Sequence, residues 1–300
     1  MGKGKYRHLI IALISTVAVL YFAVQNSNIA AASDEKLVVG VPADRCPVFY
    51  IDEETGEEVG IGVDLIKLAA KNAGYEVEIR TITENNLKDA LDNESYDIVM
   101  PYGSVPVSAS GKAAIVSDNL SETPFTLLTD EKHPTRISSG MKIGMLNSYK
   151  NVAEVIQEKY PNIEIVFYED MSESISNLYD GEVDALLNNS YVWSYILQKP
   201  SYKDLHVQPA AMFSLDFKAG VLDTPKGRDI LSRLNKGIAQ IDDTNREAII
   251  LDYTTRRLYK YTLGDYWYMY RSIIILGSLL FYAILIIIIM NAWAYRQKQD

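Results

Sequence analysis

The sequence has one cysteine, Cys46, and three histidines, His8, His133 and His206, set far apart. One thiol cannot close an internal disulfide, and it excludes a cysteine-based zinc site. The scattered histidines make no metal cluster, and nothing implies a cofactor. Cys46 lacks the small-residue setting of a lipid-anchor cysteine and reads as a small packed residue. No Cys/His, Ser/His/Asp or paired-carboxylate constellation stands out, so the chain reads as a binder and not an enzyme. Basic residues are also scarce. Lys and Arg total 29 against 39 Asp and Glu, a formal net charge of -10. Setting aside +3 at the N-terminus (Lys3, Lys5, Arg7) and +2 at the C-terminus (Arg271, Arg296, Lys298, Asp300) leaves about -15 in the middle. Nucleic acid is a poor partner for so acidic a domain, because phosphate binding needs a basic face. Internal repeats and low-complexity segments are absent.

Two apolar runs bracket that middle. Met1–His8 is basic, and Leu9–Val24 carries no charge. The run is short for a span and close to a signal-peptide core, with an A-x-A site at Ala30-Ala31-Ala32. Residues 1–32 are therefore a signal peptide or an uncleaved signal anchor, and both place the middle outside the cytoplasm. Ile273–Met290 is the second run, eighteen residues without charge. At ~1.5 Å per residue it covers roughly 27 Å, close to a hydrocarbon core. Trp267, Tyr268 and Tyr270 precede it and Trp293 and Tyr295 follow, like the aromatic belts of a membrane helix. Arg296 and Lys298 then mark the cytoplasmic side. The expectation is an extracytoplasmic domain over 33–270, a transmembrane helix over 271–292 in the lipid bilayer, and a tail over 293–300.

The middle reads as α/β. Leu37–Val41 is a strand. Gly62–Asn72 is a helix with Val63, Ile66, Ala70 and Ala73 on one face, stopped by Gly74. A strand through Val77 and Ile79, a helix over Leu87–Leu91 and a strand over Asp97–Met100 follow. This order is that of a parallel sheet with crossover helices. It then begins again: strand Met141–Leu146, a helix through Tyr149, Val152, Ala153 and Ile156 ended by Pro161, and a strand through Ile163, Ile165 and Phe167. Helix Ser172–Tyr179 with Gly181 as cap, strand Val183–Leu187 and helix Ser190–Leu197 complete it. Two such units imply two lobes. A last helix starts at Thr224 as N-cap with Pro225 at its first position.

These residues resemble family 3 extracellular solute-binding proteins, the periplasmic-binding-protein type II fold. Leu37-Val38-Val39-Gly40-Val41-Pro42 with Pro47-Val48-Phe49-Tyr50 is similar to the family's first strand and ligand loop. Gly60-Ile61-Gly62-Val63-Asp64-Leu65 resembles its helix start, Tyr96-Asp97-Ile98-Val99 its third strand, and Val116-Ser117-Asp118-Asn119-Leu120 its F-S-x-P-Y segment. Met141-Lys142-Ile143-Gly144 and Gly181-Glu182-Val183-Asp184-Ala185 resemble its second-lobe signatures. The resemblance covers roughly residues 36–260. It implies a two-lobed fold with a discontinuous first lobe (about 36–130 and 209–262), a second lobe over about 131–208, and a C-terminal transmembrane helix. Ligand is expected between the lobes, at the carboxyl ends of the strands.

On that pattern the ligand loop supplies Arg45, Phe49 and Tyr50. Arg45 can clamp an anionic group or be a solvated surface residue. Phe49 and Tyr50 can flank a ligand or pack the loop. Asp64, at a helix start, reads as structural. Tyr102, Gly103 and Ser104 follow the third strand with backbone and hydroxyl groups toward the cleft. Asn147, Ser148 and Tyr149 open a second-lobe helix, as an anion site of free amides or as simple caps. Two departures from the family pattern stand out. Its amino-acid binders carry T-x-x-R after the third strand, where this chain has Pro106 and Ala109. They also carry an aspartate where this chain has Asn189. Both charged anchors for an α-amino acid are missing.

The resemblance implies a small-molecule ligand. Two roles follow: a sensor module that passes lobe closure through Tyr261–Arg271 to the membrane helix and a signalling partner, or the substrate-binding component of an ABC importer with a permease as partner.

Overall fold

In a computed structural model, residues 35–130, 139–209 and 212–297 are described. The sequence expectations for 1–32, for the beginning of the second lobe at 131–138 and for Lys298–Asp300 fall outside them. The strands in chain order are β1 (Glu35–Val41), β2 (Asp44–Arg45), β3 (Phe49–Ile51), β4 (Glu58–Val59), β5 (Tyr75–Thr81), β6 (Ile98–Tyr102), β7 (Ala114–Val116) and β8 (Ser121–Asp130). They continue with β9 (Lys142–Leu146), β10 (Glu164–Tyr168), β11 (Ala185–Asn189), β12 (Leu205–Val207) and β13 (Phe213–Leu222). The α-helices are α1 (Ile61–Asn72), α2 (Leu87–Asp92), α3 (Lys150–Lys159), α4 (Met171–Asp180), α5 (Ser190–Ile196), α6 (Pro225–Ile238), α7 (Asp243–Thr255) and α8 (Leu263–Gln297).

The chain divides into two compact units. Among the described residues, unit 1 comprises 35–44, Phe49–Ser121 and Asp216–Ile249. Unit 2 comprises Arg45–Val48 and the described residues within 122–215 and 250–297. Each change of unit at 121/122 and 215/216 falls inside a ten-residue strand, β8 or β13. Local patterning reveals neither strand. Residues 250–262, expected in the first lobe, pack with unit 2.

Unit 1 is built on the strand order β13-β6-β1-β5. β1 runs parallel to both β5 and β6, while β13 is antiparallel to β6 and β7. Gly62 owes its place in the helix-start motif to close packing: a Cβ there would stand 2.3 Å from Phe49 Cζ and 2.8 Å from Phe217 Cζ. α1 and α6 pack together, and Asn72 Nδ2 donates to the Gly237 carbonyl at 3.2 Å. Thr224 caps α6 as expected, its hydroxyl accepting from the Gly227 amide at 3.0 Å.

Unit 2 has the order β10-β9-β11-β8, with β12 beside β8. β9, β10 and β11 are parallel, and β8 is antiparallel to β11 with Asn189 opposite Phe125. On one face Ile143, Met145, Phe125 and Leu187 pack with Tyr149, Ala153 and Ile156 of the α3 region. On the other, Leu128 and Leu186 pack with Ile175, Leu178 and Trp193 of α4 and α5. Covering on both faces explains why Ala185–Leu187 is continuously apolar, not alternating.

The two units share a device that accounts for their matching motifs. Asp97 accepts the Val38 amide at 2.9 Å and donates its own amide to the Val38 carbonyl at 2.9 Å. Asp184 does the same for Lys142, at 2.7 and 2.9 Å. In each unit the aspartate before a parallel strand is used to pin the neighbouring strand.

α7 is not legible in the sequence because its apolar residues do not gather on one face; among its residues only Tyr253 is buried. α8 has 35 residues, is long and apolar enough to cross a membrane, and its most apolar stretch is entirely exposed. It extends past both ends of the segment expected at 271–292, and Trp293–Gln297 are helical.

Candidate functional site

Unit 2 gathers several of the residues expected to meet a ligand. Arg45 and Cys46 belong to the short Arg45–Val48 stretch of this unit. The Arg45 guanidinium carbon lies 5.0 Å from the centre of the Tyr149 ring. Tyr149 is buried and meets Phe125 edge-on at 5.7 Å between centroids. Phe125 in turn stacks on Phe213 at 5.2 Å. The result is a cation seated on an aromatic face. Burial pushes the neighbouring Cys46 thiol up to about 12, so it remains a protonated thiol at neutral pH.

The chain enters α3 through a single 3-10 turn, Asn147–Tyr149. No side chain caps α3 at Tyr149. Asn147 is not an N-cap. Its amide nitrogen donates to Glu169 Oε1 at 2.6 Å. Ser148 is exposed. Asn189 is buried at the end of β11 and caps α5, accepting from the Tyr191 amide at 2.8 Å. At the position of the family's ammonium-binding aspartate, this side chain's oxygen is occupied by the helix start.

In unit 1 the expected residues separate into two groups. Phe49 is fully buried, stacks on Phe217 at 5.6 Å and presses on Gly62. Of the two roles expected for Phe49, flanking a ligand or packing, its buried ring takes the packing one here, in the space that Gly62 leaves. Tyr102 is likewise packed. It is buried, its hydroxyl donates to the Leu87 carbonyl at 2.6 Å, and burial raises its pKa. Its ring lies against Gly220, where a Cβ would stand 2.6 Å from Tyr102 Cδ2. Tyr50 is half-buried in β3 opposite Val59, and Gly103 and Ser104 are exposed just after β6. Ala109 is exposed, with its amide on the Lys88 carbonyl at 3.1 Å.

A cavity of about 190 Å³ in unit 1 lies elsewhere, beside the start of β6 and the start of α6. None of the expected ligand residues lines it. Its lysines are paired, Lys226 with Asp97 at 2.7 Å and Lys112 with Asp92 at 3.5 Å. Among the described residues, no group of His, Cys, Asp and Glu is arranged to hold a metal ion.

Residues 37–254 match the family described as bacterial extracellular solute-binding proteins, family 3, over more than half of the chain. The chain belongs to this family. Membership implies an extracytoplasmic location for the matched domain. Two named relatives are similar in sequence. The arginine-binding extracellular protein ArtP of Bacillus subtilis is 33% identical over 114 residues, 38% of this chain and 43% of that protein. The match thus spans less than half of ArtP. The ABC transporter arginine-binding protein 1 of Escherichia coli is 22% identical over 215 residues, 70% of this chain and 87% of that protein. In fold, the Bordetella pertussis BvgS periplasmic VFT2 domain is similar at TM-score 0.62 and 16% identity, covering 76% of this chain and 97% of that one. A mutant of ArgBP from T. maritima is similar at TM-score 0.56 and 21% identity, covering 75% and 97%. These likenesses support the two-lobed α/β fold of the solute-binding type.

Arg45 and Tyr149 lie far apart in sequence, and their contact cannot be read from it. Phe125 and Phe213 escape sequence reasoning altogether, since both lie on strands that local periodicity does not reveal.

Proposed function

We propose that this chain is a membrane-anchored extracytoplasmic sensor that binds a small molecule between two lobes and passes closure to helix α8. The observation that carries the reading is α8 itself: a 35-residue helix with an exposed apolar stretch, directly following a solute-binding domain. The expected ligand residues are Arg45, Asn147, Ser148, Tyr149 and Asn189 on unit 2, with Phe49, Tyr50, Tyr102, Gly103 and Ser104 on unit 1. Arg45 on the Tyr149 ring favours a solute with an anionic or planar group. A conventional α-amino acid is disfavoured, because Ala109 offers no cation and Asn189 no charge. The fold likeness to BvgS periplasmic domains agrees with a sensing role.

A second reading is the binding component of an ABC importer with a permease partner, favoured by the named Escherichia coli relative. A thermal-shift screen of the full chain in detergent against amino acids, amines, sugars and organic acids tests binding. No shift with any class overturns both readings. With a solute in hand, cells lacking the gene decide between them: lost uptake indicates the importer, and normal uptake with a lost response indicates the sensor.

A further inference from the structure

The segment that joins the folded domain to α8 is not a free tether. After α7 the chain runs from Arg256 to Thr262 without regular structure. Gln198, just beyond α5, grips it at two points. Its amide nitrogen donates to the Arg256 carbonyl at 3.0 Å, and its carbonyl oxygen accepts the Tyr259 amide at 3.0 Å. One side chain thus satisfies two backbone groups of an irregular segment, which otherwise depend on water. Gln198 is itself held by the Ser194 carbonyl at 3.1 Å.

The second half of the junction is a capping box. Thr262 precedes α8, and its hydroxyl accepts the Asp265 amide at 3.3 Å while Asp265 accepts the Thr262 amide at 2.8 Å. Asp265 also accepts the Tyr259 hydroxyl at 2.8 Å, and it is 3% exposed. Tyr259 therefore links the two halves: its amide is bound to Gln198 and its hydroxyl to the first turn of α8. Its ring meets Tyr195 of α5 at 5.9 Å and Tyr261 at 6.2 Å. Every one of these residues belongs to unit 2. The start of α5 is capped by Asn189, one of the residues expected beside the ligand.

We propose that Gln198, Tyr259 and Asp265 splice α8 onto unit 2, so that unit 2 and the helix move as one body. Gln198 and Tyr259 are positioning residues: neither need touch ligand. The chain enters this junction from α6 and the start of α7, which belong to unit 1. Without the splice, α8 would hang on a loose seven-residue link. With it, a displacement of unit 2 reaches the helix undiminished. The use made of that displacement rests on the sensor reading; the mechanical link does not.

The test uses the full chain in lipid nanodiscs, in a Cys46→Ser background. Spin labels at Glu182 and Tyr270 report the separation between unit 2 and α8. A second pair at Glu158 and Glu182 reports the integrity of unit 2. A narrow distance is expected for the first pair. Gln198→Ala should lose it while the second pair stays unchanged, and Gln198→Glu, which keeps an acceptor for Tyr259 but no donor for Arg256, should fall between. A broad first distance before mutation overturns the splice, as does a narrow one that survives Gln198→Ala. If Gln198→Ala disturbs the second pair as well, Tyr259→Phe decides. Broadening confined to the first pair supports the splice, and no change overturns it. No ligand enters the measurement, so the splice is tested even in a chain that binds nothing in the solute screen.

Discussion

The guanidinium of Arg45 is seated on the ring of Tyr149, 5.0 Å from its centre, within unit 2. A cation held this way has its side chain positioned in advance. Arg45→Ala should weaken binding of any anionic solute found in the screen by about tenfold to hundredfold, the loss of one charge-assisted contact. Arg45→Lys should recover only part of this, because a point charge cannot form a planar fork. Calorimetry on the full chain checks both. Unchanged affinity in Arg45→Ala would remove Arg45 from the site.

The same measurement with the twenty common amino acids should give weak or no binding. Two missing anchors cost an α-amino acid roughly 10²–10⁴ in Kd. Submicromolar binding to several amino acids would show that other residues supply the clamps.

Gly62→Ala should destabilise the protein by about 1–3 kcal/mol through overpacking. The added Cβ falls 2.3 Å from Phe49 Cζ, on a ring already stacked against Phe217. A smaller side chain at position 49 relieves the clash, so the pair Gly62→Ala with Phe49→Leu should lose less than the sum of the two single variants. Denaturant midpoints measure this, and additive losses would contradict it.

The junction before α8 should loosen in acid. Burial would raise the Asp265 carboxyl, but bonds from the Thr262 amide and hydroxyl and the Tyr259 hydroxyl, with the Lys199 charge nearby, hold it below the ordinary carboxylate value. A lowered folded-state value means that its contribution is complete above about pH 4 and is lost as pH falls through the lowered value. Amide exchange at Tyr259 and Thr262, converted to a common pH scale, should accelerate over that window. Asp265→Asn should be fast throughout and show no such step. A step that persists in Asp265→Asn would assign the effect to another group.

If α8 spans a membrane, residues 33–270 lie outside and 296–300 inside. A reporter fused after Asp300 should then be active only if it works in the cytoplasm. Activity of an exported-only reporter at that point would reverse the orientation.

Local sequence determined the alternating α/β order, because apolar period and turn residues act within one element. Thr224 with Pro225 marked the start of α6, and Gly181, at φ 76°, marked the end of α4. The uncharged run at 273–290 announced α8. Tertiary structure decided what those signals could not carry. β8 and β13 mix polar and apolar residues along strands that change unit near their beginnings, so neither shows a clean period of two. Phe49 was legible as an aromatic in a loop, but only Gly62 and Phe217 made it core. Asn189 was legible as a missing charge, but not its burial at 5% exposure at the end of β11. Arg45 meets Tyr149 across more than a hundred residues, and Gln198 meets Tyr259 across 61. Such pairings follow from how packed elements bring distant positions together, and no period, cap or motif within either segment encodes its partner.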